Sequence, residues 1–273
     1  MSEAPHLVLA GHVTRDEVGG HSDGEGGPAV RLGGPPSYCG LAAARLGVAA
    51  AIVTVAPVGE PLLLPLRQAR LRLHVAPSPV MTTFALHEND GVRTLFLRAR
   101  ARSLAPPDVP EDLRGAPVAF VGPVAGECDR AFLAGLGARF VGVGLQGWLR
   151  TTAADGRVVP ALASEAVDPP PVQAAVLSEH DHPDAASIAQ RFAERGAVVA
   201  LTRGPRGATV LWRGGRADVP AAPATEVDST GAGDVFGLVF TLRLADGADP
   251  ETAARAAAVA AARVVEGPGI GRL

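Results

Sequence analysis

The chain has 273 residues, of which 47% are hydrophobic and 19% are charged, and its formal net charge is −3. This composition predicts a globular protein with a substantial core, and the slight acidic excess gives no electrostatic footprint for nucleic acid. The two cysteines, Cys39 and Cys128, cannot build a disulfide framework or a structural zinc site. No apolar run reaches the roughly 20 residues of a membrane span. The amino-terminal segment also lacks the pattern of a signal peptide, so we expect a cytoplasmic location.

Short apolar runs alternate with helical patterns along the chain. The runs that predict buried strands are 6–11, 50–56, 117–122, 139–144, 174–178, 197–202 and 208–212. The segments that predict helices are 36–46, 61–69, 127–137, 184–196, 231–246 and 250–266. This alternation predicts an α/β fold with a doubly wound, mostly parallel sheet flanked by helices. In such a fold the site lies beyond the carboxyl ends of the strands.

Two segments break this rhythm. Residues 13–32 are polar and Gly-rich, and residues 82–98 alternate polar and apolar side chains around Asn89-Asp90-Gly91, which is typical of a hairpin. We interpret both segments as a small β lid over a pocket, with ordinary surface hairpins as the alternative. No linker divides the sequence, so we expect a single domain over residues 1–273 with the lid segments inserted in it.

The chain contains no lysine. This absence excludes a Walker A phosphate loop and any Schiff-base or pyridoxal chemistry, because both require a lysine. A chain of this composition that handles phosphate must therefore use backbone amides and arginine.

Residues 228–234 read Asp-Ser-Thr-Gly-Ala-Gly-Asp and precede an apolar run. Ser229 or Thr230 can cap a helix there. The first amides of that helix, those of Gly231, Ala232 and Gly233, would then be open to an anion at the positive end of the helix dipole. Asp234 would repel that anion, so its position indicates proton transfer beside a phosphoryl group. The alternative is a capped helix whose acidic residue only complements the dipole.

This segment resembles the hallmark of the PfkB/ribokinase carbohydrate kinase family, and two other pieces follow in the order of that family. Residues 33–47 are similar to its Gly-Gly signature and the helix after it, and residues 201–208 resemble the strand–turn–strand unit beside the nucleotide. The resemblance covers essentially the whole chain. It implies a ribokinase-like fold that uses ATP and Mg²⁺ and phosphorylates a hydroxyl of a small polyol, sugar or nucleoside. The composition already speaks against a nucleic-acid or membrane partner, and the resemblance allows a homodimer through the lid.

The resemblance also assigns roles to individual residues. Asp234 resembles the catalytic base, and Gly231, Ala232 and Gly233 resemble the anion hole. The residues assigned to the substrate are Asp16, Gly33, Gly34, Tyr38, Thr83, Arg98, Gln146 and Arg150. The residues assigned to the nucleotide are Ser178, Thr202, Arg203, Gly204, Gly207 and Thr230. For Arg98 and Arg150, solvated surface positions are the alternative.

The family's metal-organising motif, Asn-x-x-Glu, appears here as Ser178-Glu179-His180-Asp181. Asp181 is therefore the expected Mg²⁺ ligand, and its shorter side chain favours binding through a water. The change leaves a catalytically silent ligand-binding or regulatory protein as an alternative to a kinase.

Several motifs look most like the branch of myo-inositol kinase-like proteins. These motifs are Gly-Gly-Pro-Pro-Ser-Tyr at 33–38, Thr82-Thr83-Phe84 and Gln146-Gly147-x-x-Arg150. Gly144 stands where that branch usually has an Asp, so strict inositol specificity stays open and a nucleoside acceptor is the alternative. Residues 142–147 also match Gly-x-Gly-x-x-Gly, as in a dinucleotide oxidoreductase, but no helical pattern follows them.

Overall fold

The computed structural model describes residues 5–19, 28–69, 71–89 and 92–267. Its largest element is a nine-stranded sheet, built mainly from the apolar runs of the sequence. In their spatial order the strands are β15 (Gly215–Val219), β14 (Ala208–Trp212), β13 (Val198–Thr202), β12 (Ala174–Ser178), β9 (Phe140–Gly144), β8 (Val118–Val121), β1 (Leu7–Ala10), β4 (Ala50–Ala56) and β5 (Arg72–Pro77).

The pairing within this sheet is parallel from β13 to β5 and antiparallel at the other edge, where β13, β14 and β15 meet. Leu7 pairs with Ala50 on one side and with Val118 on the other. All residues of β1, β4 and β8 are buried, as expected of strands covered on both faces. The predicted doubly wound, mostly parallel sheet is confirmed.

Helices cover both faces of the sheet and enclose two cores. Phe132, Phe192 and Trp148 belong to one core, and Ile52, Phe240 and Leu238 belong to the other. The helices are α1 (Pro35–Arg45), α2 (Leu64–Gln68), α3 (Arg130–Leu136), α4 (Ser164–Val167), α5 (Ala185–Glu194), α6 (Ala232–Ala245) and α7 (Pro250–Val265).

A second, four-stranded sheet, here called the small sheet, stands at the carboxyl ends of the parallel strands. Its strands in spatial order are β3 (Ala29–Gly33), β2 (Thr14–Val18), β6 (Thr82–Asn89) and β7 (Val92–Ala99). β2 and β6 pair in parallel, with Thr14 opposite Thr82. These strands come from the two segments interpreted as a lid. Residues 20–27 and the Asp90-Gly91 part of the predicted turn lie outside the described residues.

The structure also differs from the sequence prediction in places. The predicted helix 61–69 is a 3-10 turn, Pro61–Leu63, followed by α2. The predicted helix 127–137 begins later, at Arg130, because Asp129 caps it by accepting a hydrogen bond from the amide of Phe132. The strands β5 and β15, and the hairpin of β10 (Arg150–Thr152) and β11 (Val158–Pro160), were not predicted.

The oxidoreductase alternative is wrong on structural grounds. The Gly-x-Gly-x-x-Gly segment ends β9 and continues into a 3-10 turn, Gln146–Trp148, which leads into β10. A dinucleotide fingerprint must instead open a helix whose amino terminus holds the pyrophosphate. Among the helices that the structure describes, none has both the length and the apolar character needed to cross a membrane.

Candidate active site

A cavity of about 420 Å³ lies between the carboxyl ends of the parallel strands and the small sheet. Most of the predicted site residues line it, although they come from distant parts of the sequence. These lining residues are Asp16, Gly34, Tyr38, Gln146, Arg150, Ser178, Asp181, Thr202, Thr230, Gly231, Gly233 and Asp234. The cavity thus lies where the fold predicts a ligand site, at the carboxyl ends of the parallel strands and beside the loops that follow them.

Residues 228–234, here called the amide loop, turn sharply into α6. The carboxylate of Asp228 holds the turn, since its Oδ1 accepts hydrogen bonds from Thr230 N at 2.9 Å and from Thr230 Oγ1 at 2.5 Å. The helix begins after Gly231, whose φ of 82° lies in the left-handed region that favours glycine. The expected Ser229 or Thr230 cap is therefore wrong, because no side chain caps α6.

The amides of this loop differ in their hydrogen bonds. The amide of Ala232 donates to the carbonyl of Ser229 at 3.2 Å, and Ala232 does not line the cavity. Within the described part of the chain, no backbone carbonyl accepts from the amides of Gly231 and Gly233, and both residues line the cavity. Of the three amides in the predicted anion hole, these two therefore remain available to a ligand at the positive end of α6.

Tyr38 forms the floor beneath the amide loop. A Cβ atom on Gly231 would collide with the ring of Tyr38, so glycine is required there by contact as well as by φ. The Tyr38 side chain is buried, and burial together with Asp16, Asp234 and Asp228 raises the pKa of its hydroxyl well above the usual value. Tyr38 therefore stays neutral and can donate a hydrogen bond into the cavity.

Asp234 lies in the first turn of α6 and faces the cavity. Burial raises its pKa to about 7, and the negative charge of Asp181 and, to a smaller extent, of Asp16 contribute, while Arg150 opposes the shift. A carboxylate with this pKa is a competent proton acceptor near neutral pH. The backbone carbonyl of Asp234 accepts a hydrogen bond from Cys39 Sγ at 3.3 Å, which ties α6 to α1.

Arg150 brings a positive charge to this acidic cavity. Its guanidinium carbon lies 5.2 Å from the centre of the Phe84 ring, and its Nε donates to the carbonyl of Val124 at 2.8 Å. Burial lowers its pKa, while Asp181, Glu127, Asp234 and Asp16 raise it. Because an arginine stays protonated in proteins, Arg150 remains a cation able to bind phosphate bidentately.

Asp16 supplies an acceptor from the small sheet. Its Oδ1 accepts a hydrogen bond from Thr14 Oγ1 at 2.7 Å, and burial raises its pKa. A Cβ atom on Gly33 would collide with Asp16 Oδ2, so glycine at 33 makes room for this carboxylate without lining the cavity itself. Gly34, with φ of 85°, then turns the chain into α1.

Asp181 lines the same cavity as Asp234. Its Oδ2 accepts from the amide of Ser178 at 2.7 Å, and its Oδ1 lies 3.4 Å from Gln146 Nε2. Burial raises the pKa of Asp181. In the described part of the chain no group of three or more His, Cys, Asp or Glu residues could hold a metal by itself. Asp181 and Asp234 both line the cavity, and carboxylates in this number are what Mg²⁺ takes where phosphate and water oxygens complete its shell.

Comparisons with known proteins agree with this geometry. Residues 173–272 match the family model described as pfkB family carbohydrate kinase. A pyrophosphate-dependent kinase of the ribokinase family, solved with a pyrophosphate analogue and myo-inositol, superposes with a TM-score of 0.82 at 17% identity, covering 96% of both chains. No curated protein sequence matches the chain. The carboxyl-terminal part of the chain is therefore similar to the PfkB family, and the whole chain shares the ribokinase-like fold.

Two other solved members of this fold carry different ligands. The nucleoside kinase of Burkholderia thailandensis, in complex with inosine, has a TM-score of 0.72 at 18% identity and covers 97% of this chain and 92% of its own. The fructokinase of Vibrio cholerae, with fructose, ADP and calcium bound, has a TM-score of 0.68 at 18% identity and covers 98% and 95%. Proteins with this fold thus include kinases that bind a cyclitol, a nucleoside or a sugar.

Some positions assigned by the family resemblance lie off the cavity. Arg98 stacks over Phe96 at 5.3 Å and donates to His87 Nε2 at 3.2 Å, and Thr83 Oγ1 donates to the carbonyl of Met81. On the nucleotide side, the turn after β13 also lies outside the cavity lining: Arg203 Nη2 donates to Asp218 at 3.1 Å. The residues that the structure does not bring to the cavity are Gly33, Thr83, Arg98, Arg203, Gly204, Gly207 and Ala232.

The family resemblance did not identify the apolar part of the cavity. Val18, Phe84, Leu86 and Leu95 of the small sheet line it on the side opposite the amide loop. Their signal in the sequence was the alternation of β6 and β7, which identifies a half-buried hairpin without showing which face meets the substrate.

Proposed function

We propose that the chain is an ATP-dependent kinase that transfers the γ-phosphoryl group to a hydroxyl of a sugar, an inositol-like cyclitol or a related polyol. One observation carries this proposal: Asp234, with a pKa of about 7, lies beside two amides that have no acceptor in the described chain. A base and an anion hole at one helix start are the groups that phosphoryl transfer to an alcohol requires.

In the proposed mechanism each residue has one task. Asp16 accepts hydrogen bonds from acceptor hydroxyls, and Asp234 removes the proton of the attacking hydroxyl. The acceptor oxygen forms its bond to the γ-phosphorus while the bond from that phosphorus to the bridging oxygen breaks, and ADP leaves. The amides of Gly231 and Gly233 and the guanidinium of Arg150 stabilise the transferred group. Mg²⁺, with Asp181 as its expected ligand, would neutralise charge on the donor phosphates.

The substitution Asp234→Asn tests the base. We expect kcat to fall by about 10²- to 10⁴-fold, the usual contribution of a general base, while acceptor binding persists. Asp246→Asn is the matched control, because Asp246 ends the same helix and its side chain is 57% exposed. ADP release over a panel of polyols measures turnover, and thermal shift measures binding. If the unsubstituted chain binds acceptor and ATP without turnover, the silent binding protein replaces the kinase.

The apolar side chains of the small sheet favour a nucleoside as the second candidate acceptor. Val18, Leu86 and Leu95 line the cavity and are only partly buried by the protein itself. A cyclitol hydroxyl held against them would lose its bonds to water, at a cost of about 1–3 kcal/mol. A nucleoside offers ribose hydroxyls to Asp16 and the flat aromatic face of its base to these apolar side chains. Comparing kcat/KM for inosine and myo-inositol distinguishes the two classes.

The phosphoryl donor needs its own test, since one similar structure is that of a pyrophosphate-dependent kinase. We offer ATP and pyrophosphate separately at saturating acceptor and follow formation of the phosphorylated product. The proposal expects turnover with ATP. Product formed from pyrophosphate alone would replace ATP as the donor and leave the role of Asp234 unchanged.

A further inference from the structure

Glu127 is a buried carboxylate that the proposed mechanism does not use. It follows β8 in the loop that leads to α3, and it is the one Asp or Glu residue of the described chain that is fully buried. An ionised carboxylate in such a position is costly unless hydrogen bonds satisfy it. The hydrogen-bond partners of Glu127 therefore show which segments this carboxylate holds in place.

Three backbone amides surround this carboxylate. Oε1 accepts from the amide of His12 at 3.0 Å and from that of Val124 at 3.0 Å. Oε2 accepts from Val124 at 3.0 Å and from Ala125 at 2.7 Å. Burial alone would raise the pKa of Glu127, but the charge that the His12 ring carries when it is protonated and the hydrogen bonds from the amides of His12 and Ala125 outweigh burial and keep this pKa below the usual value.

One branch of this network leads to the cation of the site. The amide of Val124 is held by Glu127, while the carbonyl of the same residue accepts from Arg150 Nε at 2.8 Å. Val124 itself lines the cavity. A single residue thus links the buried carboxylate to the guanidinium that lies over Phe84.

The other branch leads to the base of the small sheet. The His12 ring is fully buried, with Nε2 2.8 Å from the carbonyl of Arg102 and Nδ1 2.7 Å from Thr82 Oγ1. Because a carbonyl only accepts, Nε2 carries the proton of the neutral ring, and the Thr82 hydroxyl donates to Nδ1. Thr82 Oγ1 in turn accepts from the amide of Ala101. His12 therefore joins the segments through which the chain enters and leaves the small sheet.

We propose that Glu127 is a positioning residue for phosphoryl transfer, because one carboxylate fixes both the Val124 carbonyl that orients Arg150 and the His12 segment at the base of the small sheet. The proposal rests on the proposed function for the role of Arg150 in the reaction. It predicts that loss of the carboxylate changes the kinetics of the site as well as the stability of the chain.

The test combines Glu127→Gln with Arg150→Lys. The amide keeps the shape of the side chain but places an NH₂ group against backbone amides, and the lysine keeps the charge of Arg150 but loses the Nε donor. We expect Glu127→Gln to lower kcat on the order of 10-fold, as for loss of a charged hydrogen bond. The kcat of the double variant should lie less than about 3-fold below that of Arg150→Lys, because both substitutions disturb the same contact between the Val124 carbonyl and residue 150. Glu60→Gln is the matched control, since Glu60 also accepts from a backbone amide, that of Leu62.

A pH profile separates positioning from stability. Arg150 lowers the pKa of Asp234, so a displaced guanidinium should move the acid limb of kcat to higher pH in Glu127→Gln and leave it in place in Glu60→Gln. If Glu127→Gln does not fold, Glu127→Asp, which keeps the charge but reaches less far, should move the limb in the same direction. A lower melting temperature with unchanged kcat, acceptor KM and pH limb would overturn the proposal. Activity that survives in Asp234→Asn would instead overturn the proposed function.

Discussion

The two walls of the cavity are built in different ways. The amide loop offers backbone groups, namely the amides of Gly231 and Gly233, on a turn held by Asp228. The small sheet offers side chains, with Asp16 beside an apolar surface of Leu86 and Leu95. Backbone groups require glycine and a fixed turn, which leaves a clear pattern in the sequence. Side chains on a sheet face leave a weak pattern but can select the acceptor.

Of the substitutions that test this difference between the walls, Gly231→Ala should lower kcat the most. The substitution adds a Cβ atom at φ 82° and drives it into the ring of Tyr38, so the free amides can no longer keep their direction. We expect kcat to fall by about 100-fold or more, as when a donor of an anion hole is lost. Steady-state kinetics at saturating acceptor and donor measure it.

Gly247→Ala is the control for backbone strain alone, because Gly247 has φ of 87° and open space around its Cβ position. It should cost about 1–2 kcal/mol of unfolding free energy and leave kcat unchanged. Similar kcat values for the two variants would show that the amide loop does not need its observed turn.

On the opposite wall, Asp16→Asn should impair the acceptor alone. It removes the carboxylate charge that strengthens hydrogen bonds to hydroxyls, which corresponds to about 10- to 100-fold in kcat/KM for the acceptor. The donor KM should stay the same, because the amide loop is unchanged. Asp155→Asn on the exposed hairpin is the control. An equal rise in the acceptor KM and the donor KM would contradict the assignment of the acceptor to the small sheet and of the donor to the amide loop.

The pH dependence of kcat tests how the charged residues of the cavity shift the pKa of Asp234. Since a carboxylate must be ionised to act as a base, kcat should fall as the pH drops through about 7, the pKa of Asp234. Asp181→Asn removes a negative charge that raises this pKa, so the acid limb should move to lower pH even where the maximal rate is reduced. If the acid limb of kcat stays in place in Asp181→Asn, the charge of Asp181 does not influence the pKa of Asp234.

Asp234 also links pH to stability. Its raised pKa means that the folded chain binds this proton more tightly than the unfolded chain, so its contribution to stability is lost as the pH rises through about 7. Asp234→Asn should therefore raise the melting temperature more at pH 8 than at pH 5, relative to the unsubstituted chain. The same increase at both values would contradict the shift.

The contrast between the walls also explains what could be predicted from the sequence. The parallel strands and α6 were predictable because apolar runs and a glycine pattern set them locally. The edge strand β15 was not, because it reads Gly-Arg-Ala-Asp-Val and its charges suit a sheet edge. The contact of Tyr38 with Gly231, and the links from Glu127 to His12 and Arg150, join distant segments and leave no spacing to detect.

Arg98 shows why the sequence does not predict which side chains of the small sheet face the cavity. The register between β6 and β7 shifts between Thr83 and Phe84, and such a bulge changes which residues share a face. Phe84 lines the cavity, while Thr83, its neighbour on β6, and Arg98, which the register shift leaves without a partner, do not. Neither the role of the small sheet as a moving lid nor a homodimer through it follows from this geometry, and both stay predictions.

The smallest expected effect concerns the one ion pair described between the walls. Arg31 Nη1 on β3 lies 3.7 Å from Asp228 Oδ2, while the other oxygen of Asp228 holds the turn at Thr230. The Arg31 side chain is 54% exposed, so salt and water weaken the pair, and Arg31→Gln should lower acceptor kcat/KM by at most about 5-fold. The loss should shrink as salt is added, because screening weakens the pair in the unsubstituted chain.

Arg15→Gln is the matched control for this pair, since Arg15 bonds Glu17 within the small sheet at 3.3 Å and bridges no walls. It should leave kcat/KM unchanged at every salt concentration. Equal losses in Arg31→Gln and Arg15→Gln would mean that the charge of the small sheet matters and the bridge does not. A loss confined to Arg31→Gln at low salt would show that the side-chain wall helps to hold the backbone wall in place.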